Sequence, residues 1–113
     1  LLDQTQDLYS WVDKAARYND TADDHAQHDK HLVILDEVRV PINTPQASYY
    51  GRLSGEVHLQ PNSDRVQTAN IEVGNRRIQY SRNEDREVFM ETLTGTTTKI
   101  VLDHKMNTLS WEY

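Results

Sequence analysis

The length, composition and charge of the chain set the first limits on its fold and function. Its 113 residues suffice for one domain with a modest core, and a hydrophobic content of 36% argues against a large sheet buried on both faces. The net charge of -6 disfavours binding to nucleic acid or to an anionic membrane, and it favours a basic protein partner. Because cysteine is absent, disulfides, thiolate nucleophiles and thiolate zinc sites are excluded.

Hydropathy and the first residue bear on where the protein is located. No apolar run approaches the roughly 20 residues that a membrane-spanning helix needs. The chain begins with Leu1 and not with methionine, which is typical of a processed or excised chain. From this we expect an exported or cell-envelope protein.

The first predicted element is an amphipathic helix over residues 3–18. Leu8, Trp11, Val12 and Ala15 recur at intervals of three and four residues, the spacing of a helix with one apolar side. We expect Trp11 to anchor this helix on a sheet.

Residues 19–31 are polar and acidic, and they fit a short second helix or a solvated loop equally well. Within them His25, His28 and His31 lie three residues apart. On a helix these positions would fall within an arc of about 120°, where the imidazoles and a nearby carboxylate could hold zinc, nickel or copper. The favoured alternative is a solvated segment whose histidines bind nothing.

Residues 32–113 predict an antiparallel meander of six to seven strands. Pro41 has no N–H group, so it marks the edge or the end of the first of these strands. In the alternating segment 49–60, Gly51 and Gly55 fall on the apolar side, which indicates a bend, a bulge or a close approach of another backbone. We therefore expect the sheet to be strongly curled and to approach a barrel.

Turn residues separate the later strands of this meander. The dipeptide Gly74-Asn75 predicts a tight two-residue hairpin, since such a turn needs residues that tolerate positive φ. Residues 83–85, Gly95 and residues 103–108 supply three further turns.

The expected fold class is α+β, with an N-terminal amphipathic helix packed on the curled antiparallel sheet. It forms a single domain over residues 1–113, in which residues 1–31 are the helical and polar N-terminal segment and residues 32–113 are the sheet. A strand at the end of the chain leaves an edge for pairing, so a homodimer or a complex with another protein is favoured slightly over a monomer.

The sequence contains no motif of an established catalytic arrangement, such as G-x-S-x-G, HExxH or a phosphate-binding glycine loop. The nearest approaches to an acid and a base are the pairs Glu56/His58 and Asp103/His104. The leading interpretation is a non-catalytic protein-binding or accessory module of a bacterial or phage-associated system.

The predicted contact surface combines tyrosines, which are enriched at interfaces, with arginines, which bind carboxylate or phosphate. Its members are Tyr49, Tyr50, Arg76, Arg77, Tyr80 and Arg82. For the arginines, the favoured alternative is a solvated strand face whose charge is offset by neighbours such as Glu72 and Glu87.

Two other functions stay open at this point. A small-ligand carrier would hold its ligand in an apolar cavity between helix and sheet, bounded by Trp11, Leu53, Val57 and Trp111. A metal-dependent enzyme or metal-binding protein would use His25, His28 and His31 with a divalent transition metal, and no other cofactor is expected.

Overall fold

The structure, a computed structural model, describes residues 2–18, 24–29, 31–43, 45–63 and 65–112. Its elements in chain order are α1 (Leu2–Ala16), β1 (Ala26–His28), β2 (Leu32–Asn43), β3 (Ser48–Leu59), β4 (Val66–Val73), β5 (Arg76–Asn83), β6 (Arg86–Leu93), β7 (Thr96–Asp103) and β8 (Thr108–Glu112). Within these residues, no helix combines the length and the apolar character that crossing a membrane requires.

The strands form one antiparallel sheet in which spatial order follows chain order, from β1 at one edge to β8 at the other. Every neighbouring pair is antiparallel. The meander predicted for residues 32–113 is therefore confirmed, and so is the broad combination of one helix with an antiparallel sheet.

The prediction of six to seven strands in a strongly curled, barrel-like sheet is wrong. In the residues that the structure describes, the sheet has eight strands and stays open, with β1 and β8 at opposite ends of the strand order. Eight strands at a spacing of about 4.8 Å span roughly 34 Å, and the molecule measures 43 × 39 × 24 Å. These dimensions fit an open sheet with one helix layered on it.

The apolar side of α1 packs across the middle of the sheet, over β2, β3, β4 and β5. Leu8, Trp11, Val12 and Ala15 are all buried, as the helical spacing of these residues predicts. The strands contribute alternate residues to the same core, because successive side chains on a strand point to opposite faces. The most deeply buried of them are Val38, Leu53, Val57, Ile71, Ile78 and Phe89.

One strand-to-strand approach in the core region depends on glycine. Gly55 has φ +136, and a Cβ atom placed on it would lie 2.1 Å from the carbonyl oxygen of Asn70 on β4. On its other side, the register of β2 against β3 shifts between Leu35 and Val38, with Glu37 at φ 51. A register shift and a close backbone approach are therefore both present near Gly55, in a sheet that stays open.

The tight turns also fall where the sequence predicts them. Gly74 has φ +61 and, with Asn75, connects β4 directly to β5. Two-residue turns likewise connect β5 to β6 and β6 to β7, with Glu84 and Thr94 at positive φ. Short turns of this kind hold consecutive strands in register.

The N-terminal polar segment differs from its prediction. Ala26–His28 form an edge strand, where the sequence predicted a short helix or a loop, and this strand pairs with Leu35 to Val33 of β2. A polar tripeptide has little strand preference of its own, so the pairing with β2 decides its conformation. Residues 19–23, where the predicted short second helix would begin, lie outside the described residues.

Candidate functional site

A buried carboxylate lies where the helix, two strands and a turn meet. Glu87 is on β6 and faces the core, with its side chain 3% exposed. It is surrounded by Tyr9 of α1, Tyr80 and Arg82 of β5, and His104 of the β7–β8 turn. We call these five residues the Glu87 cluster.

Both oxygens of the Glu87 carboxylate are contacted by donors of the cluster. The Tyr80 hydroxyl donates to Oε1 over 2.6 Å, and Arg82 Nη1 lies 3.2 Å from the same oxygen. His104 Nε2 lies 2.5 Å from Oε2, and the Tyr9 hydroxyl also donates to the carboxylate. A carboxylate can accept about four hydrogen bonds, and these four contacts match that number. The arrangement joins separate elements, and each of its four donors contacts the same carboxylate.

The electrostatics of the Glu87 cluster follow from burial and from these hydrogen bonds. Burial alone would raise the pKa of Glu87, but donation from Tyr80, Tyr9 and His104 and the charge of Arg82 lower it below its ordinary value. Burial is also the largest effect on both tyrosines. Together with donation to Glu87 and its negative charge, burial raises the pKa of Tyr9 and of Tyr80 well above the usual value of 10.0.

We expect the free energy of unfolding to fall as the pH rises above about 10. In the unfolded chain both phenols lose their protons near 10.0, whereas the raised pKa values keep Tyr9 and Tyr80 protonated in the folded chain. Ionisation therefore favours the unfolded state in this range. Urea unfolding followed by tryptophan fluorescence from pH 7 to pH 11 measures the effect. Tyr80→Phe should flatten the fall relative to the exposed control Tyr50→Phe, and equal slopes would contradict the assignment.

A cleft of about 180 Å³ opens beside the Glu87 cluster, between α1 and the sheet. Its walls include Tyr9, Val12, Arg65, Val66 and Arg82. The position between helix and sheet is the one expected for a ligand carrier, but the lining residues differ from those expected.

The four residues predicted to bound a carrier cavity belong to the packed interior. Leu53 and Val57 are fully buried and Trp11 is 7% exposed, all within one core cluster. Trp111 is partly buried against the same cluster. None of the four lines the cleft beside Glu87.

The three histidines do not share a helix. His25 precedes β1, His28 ends it and His31 precedes β2, so the helical arc assumed for a metal site is absent from this part of the chain. Among the described residues, no group of three His, Asp, Glu or Cys side chains is placed to hold a metal ion. The side chain of His28 lies outside that description, and a metal site using it stays a prediction.

The arginines predicted for the contact surface on β5 each have an acidic partner. Arg76 pairs with Glu91, Arg77 Nη2 lies 2.6 Å from Glu72 Oε1, and Arg82 belongs to the Glu87 cluster. Tyr80 is only 5% exposed, so it belongs to the core and not to an exposed face. The alternative, in which neighbouring carboxylates offset these charges, describes β5 better.

A different surface remains open where β2 and β3 pair, near their hairpin end. Tyr49 and Tyr50 at the start of β3 are 54% and 62% exposed. The guanidinium carbon of Arg39 lies 4.0 Å from the centre of the Tyr50 ring, and Arg52 pairs directly with Arg39 across the two strands. We call Arg39, Tyr49, Tyr50 and Arg52 the hairpin-end surface.

The two predicted acid and base pairs behave differently. His58 Nε2 lies 3.4 Å from Glu56 Oε1, and both side chains are about half exposed. Asp103 does not orient His104, because its Oδ1 accepts the backbone N–H groups of Lys105 and Met106. His104 instead contacts Glu87. The carboxylate beside His104 is therefore Glu87, and not the Asp103 expected from the sequence.

Comparison of the chain with protein-family models, with curated proteins and with solved structures finds no match. The fold and the two sites therefore carry the argument for function by themselves.

Proposed function

We propose that this domain is a non-catalytic protein-binding module that contacts its partner through the hairpin-end surface. The observation that carries the proposal is the exposure of two consecutive tyrosines, Tyr49 and Tyr50, on a pair of 12-residue strands. Tyrosine supplies large contact area with few rotatable bonds, and it is enriched at protein interfaces.

The placement of these rings suits a contact around the end of the hairpin. Neighbouring residues on a strand point to opposite faces, so Tyr49 stands on the same side as the helix and Tyr50 on the opposite side. Tyr50 is fixed further by the stacked guanidinium of Arg39. Rings held on paired strands lose little conformational freedom when a partner binds.

The Glu87 cluster supports the non-catalytic part of the proposal. Its carboxylate is engaged by donors from α1, β5 and the β7–β8 turn, and we assign it to stability. The exposed Glu56/His58 contact has no described nucleophile tied to it.

Site-specific photo-crosslinking tests the proposal. A photo-reactive residue is placed at Tyr50 or, as a matched control, at Gln79, an exposed position on β5, and the protein is irradiated in an extract of the cells that make it. We expect a discrete adduct at position 50 that is absent at position 79. The captured protein, once purified, should bind the unmodified domain directly, and Tyr49→Ala/Tyr50→Ala should weaken that binding at least tenfold.

Two results would contradict the proposal. One is the same adducts at positions 50 and 79, which would reflect non-specific contact. The other is binding of the purified partner that Tyr49→Ala/Tyr50→Ala leaves unchanged.

A further inference from the structure

The most unusual charge arrangement in the described sheet is a pair of arginines facing each other. Arg39 of β2 and Arg52 of β3 are directly paired residues of adjacent antiparallel strands. Side chains in such a pair share one face and have Cβ atoms about 5 Å apart, and like charges placed this way destabilise the sheet. Both side chains are exposed.

The two guanidinium groups differ from the arginines of β5 in their contacts with acidic side chains. Arg76, Arg77 and Arg82 each lie beside a glutamate. In the part of the chain that the structure describes, neither Arg39 nor Arg52 forms an ion pair with a carboxylate. Their positive charge is therefore available to a ligand.

Each of the two guanidinium groups makes a contact within the protein that does not use all of its N–H donors. The guanidinium carbon of Arg39 lies 4.0 Å from the centre of the Tyr50 ring, a contact with an aromatic ring and not with a carboxylate. Arg52 Nη1 donates to the carbonyl oxygen of Glu37 over 3.3 Å, which uses one of five N–H groups. The remaining donors form two forks on one exposed face, and such forks match the geometry of carboxylates.

We propose that Arg39 and Arg52 form an anion-binding subsite that receives an acidic segment of the partner protein. This inference rests on the proposed function and assigns the chemistry of the partner. It also reverses the expectation from the net charge of -6, which favoured a basic partner. At physiological salt, exposed charges are screened beyond about 8 Å, so the local arginine pair outweighs the distant acidic residues for a segment in contact.

Nuclear magnetic resonance titration with a hexaglutamate peptide tests the subsite directly. We expect saturable shifts at the backbone amides of residues 39, 50 and 52 and at the Nε–Hε groups of both arginines. Arg52→Gln should weaken binding at least tenfold. Arg77→Gln removes the same charge from an arginine that pairs with Glu72, and it should change the affinity less than twofold.

Other probes distinguish other occupants of the subsite. Inorganic phosphate that binds as tightly as the peptide would overturn the inference, because a single oxyanion would then account for the site. A concentration-dependent dimer that Arg52→Gln abolishes would assign the site to a second copy of this chain and also overturn it. An absence of shifts with the peptide would do the same.

The crosslinking assay separates this inference from the proposed function. If Arg39→Gln/Arg52→Gln loses peptide binding and also the adduct at position 50, the acidic-segment assignment is supported. If the adduct persists undiminished in that variant, the partner binds without the arginine pair and the inference fails while the protein-binding function stands. If the parent protein gives no specific adduct at position 50, the proposed function fails whatever the peptide does.

Discussion

Glu87→Gln is expected to lower the free energy of unfolding at pH 7 by about 4 kcal/mol, in the range found when one partner of a buried ion pair is removed. The carboxylate accepts from Tyr80, Tyr9 and His104 and lies beside Arg82. An amide at this position presents N–H groups toward donors and leaves the Arg82 charge without its partner. Urea unfolding at constant temperature measures the loss.

The pH dependence of this loss gives a second test. The folded-state pKa of Glu87 lies below its usual value of 4.5, so the carboxylate's contribution is fully present above about 4.5 and disappears as pH falls through the lower folded-state value. The difference between parent and Glu87→Gln should therefore shrink in acid. Glu91→Gln is the matched control, because Glu91 lies on the same strand but is 26% exposed beside Arg76. It should cost less than about 1 kcal/mol, and similar losses in the two variants would contradict the role of the Glu87 cluster.

Gly55→Ala is expected to prevent folding or to cost more than about 4 kcal/mol, a size reached only by severe changes. The new Cβ atom would lie 2.1 Å from the Asn70 carbonyl oxygen and 2.8 Å from Ile71 Cα. Both are backbone atoms of β4, so the pairing of two central strands would have to shift. The backbone angle φ +136 adds strain of about 1–3 kcal/mol for any residue with a Cβ.

The control for Gly55→Ala isolates the clash from the backbone angle. Gly74 has φ +61, and nothing lies within 4 Å of a Cβ placed on it. Gly74→Ala should therefore cost only the 1–2 kcal/mol or so of a left-handed residue. Circular dichroism and thermal unfolding of both variants give the comparison, and equal effects would refute the close approach of β3 and β4.

Local patterns in the sequence were sufficient to predict the elements whose residues alternate or recur regularly. The spacing of Leu8, Trp11, Val12 and Ala15 predicted α1, and the dipeptide Gly74-Asn75 predicted the β4–β5 turn. Such signals depend only on neighbours in the chain. The strand Ala26–His28 carries no such signal, because its conformation comes from pairing with β2.

The openness of the sheet could not be predicted from glycine positions. Gly55 allows a close approach of β3 and β4, but closure of a barrel depends on the tilt and stagger of all strands together. A glycine on the apolar side was therefore good evidence for a close backbone approach and poor evidence for a barrel.

The candidate sites were only partly accessible from the sequence. The sequence pointed to Tyr49 and Tyr50 but not to their neighbours Arg39 and Arg52. The register of the β2–β3 hairpin, in which Asn43 pairs with Ser48, also pairs these two arginines. Glu87 was treated as a charge that offsets arginines. Glu87 lies two residues before Phe89 on β6, so both side chains point to the core face. This spacing would have predicted a buried Glu87. The contact of Tyr9 with Glu87 could not be predicted, because it depends on how the helix is oriented on the sheet.

The order of the strands has a consequence for how the chain folds. Since each strand pairs with its neighbours in sequence, most pairings close loops of only a few residues, and short loops carry a small entropic cost. Strands can therefore be added one at a time along the chain. The helix is different, because it packs on β2 to β5 and its Tyr9 also contacts β6. The apolar side of α1 can therefore be fully covered only when these strands have paired.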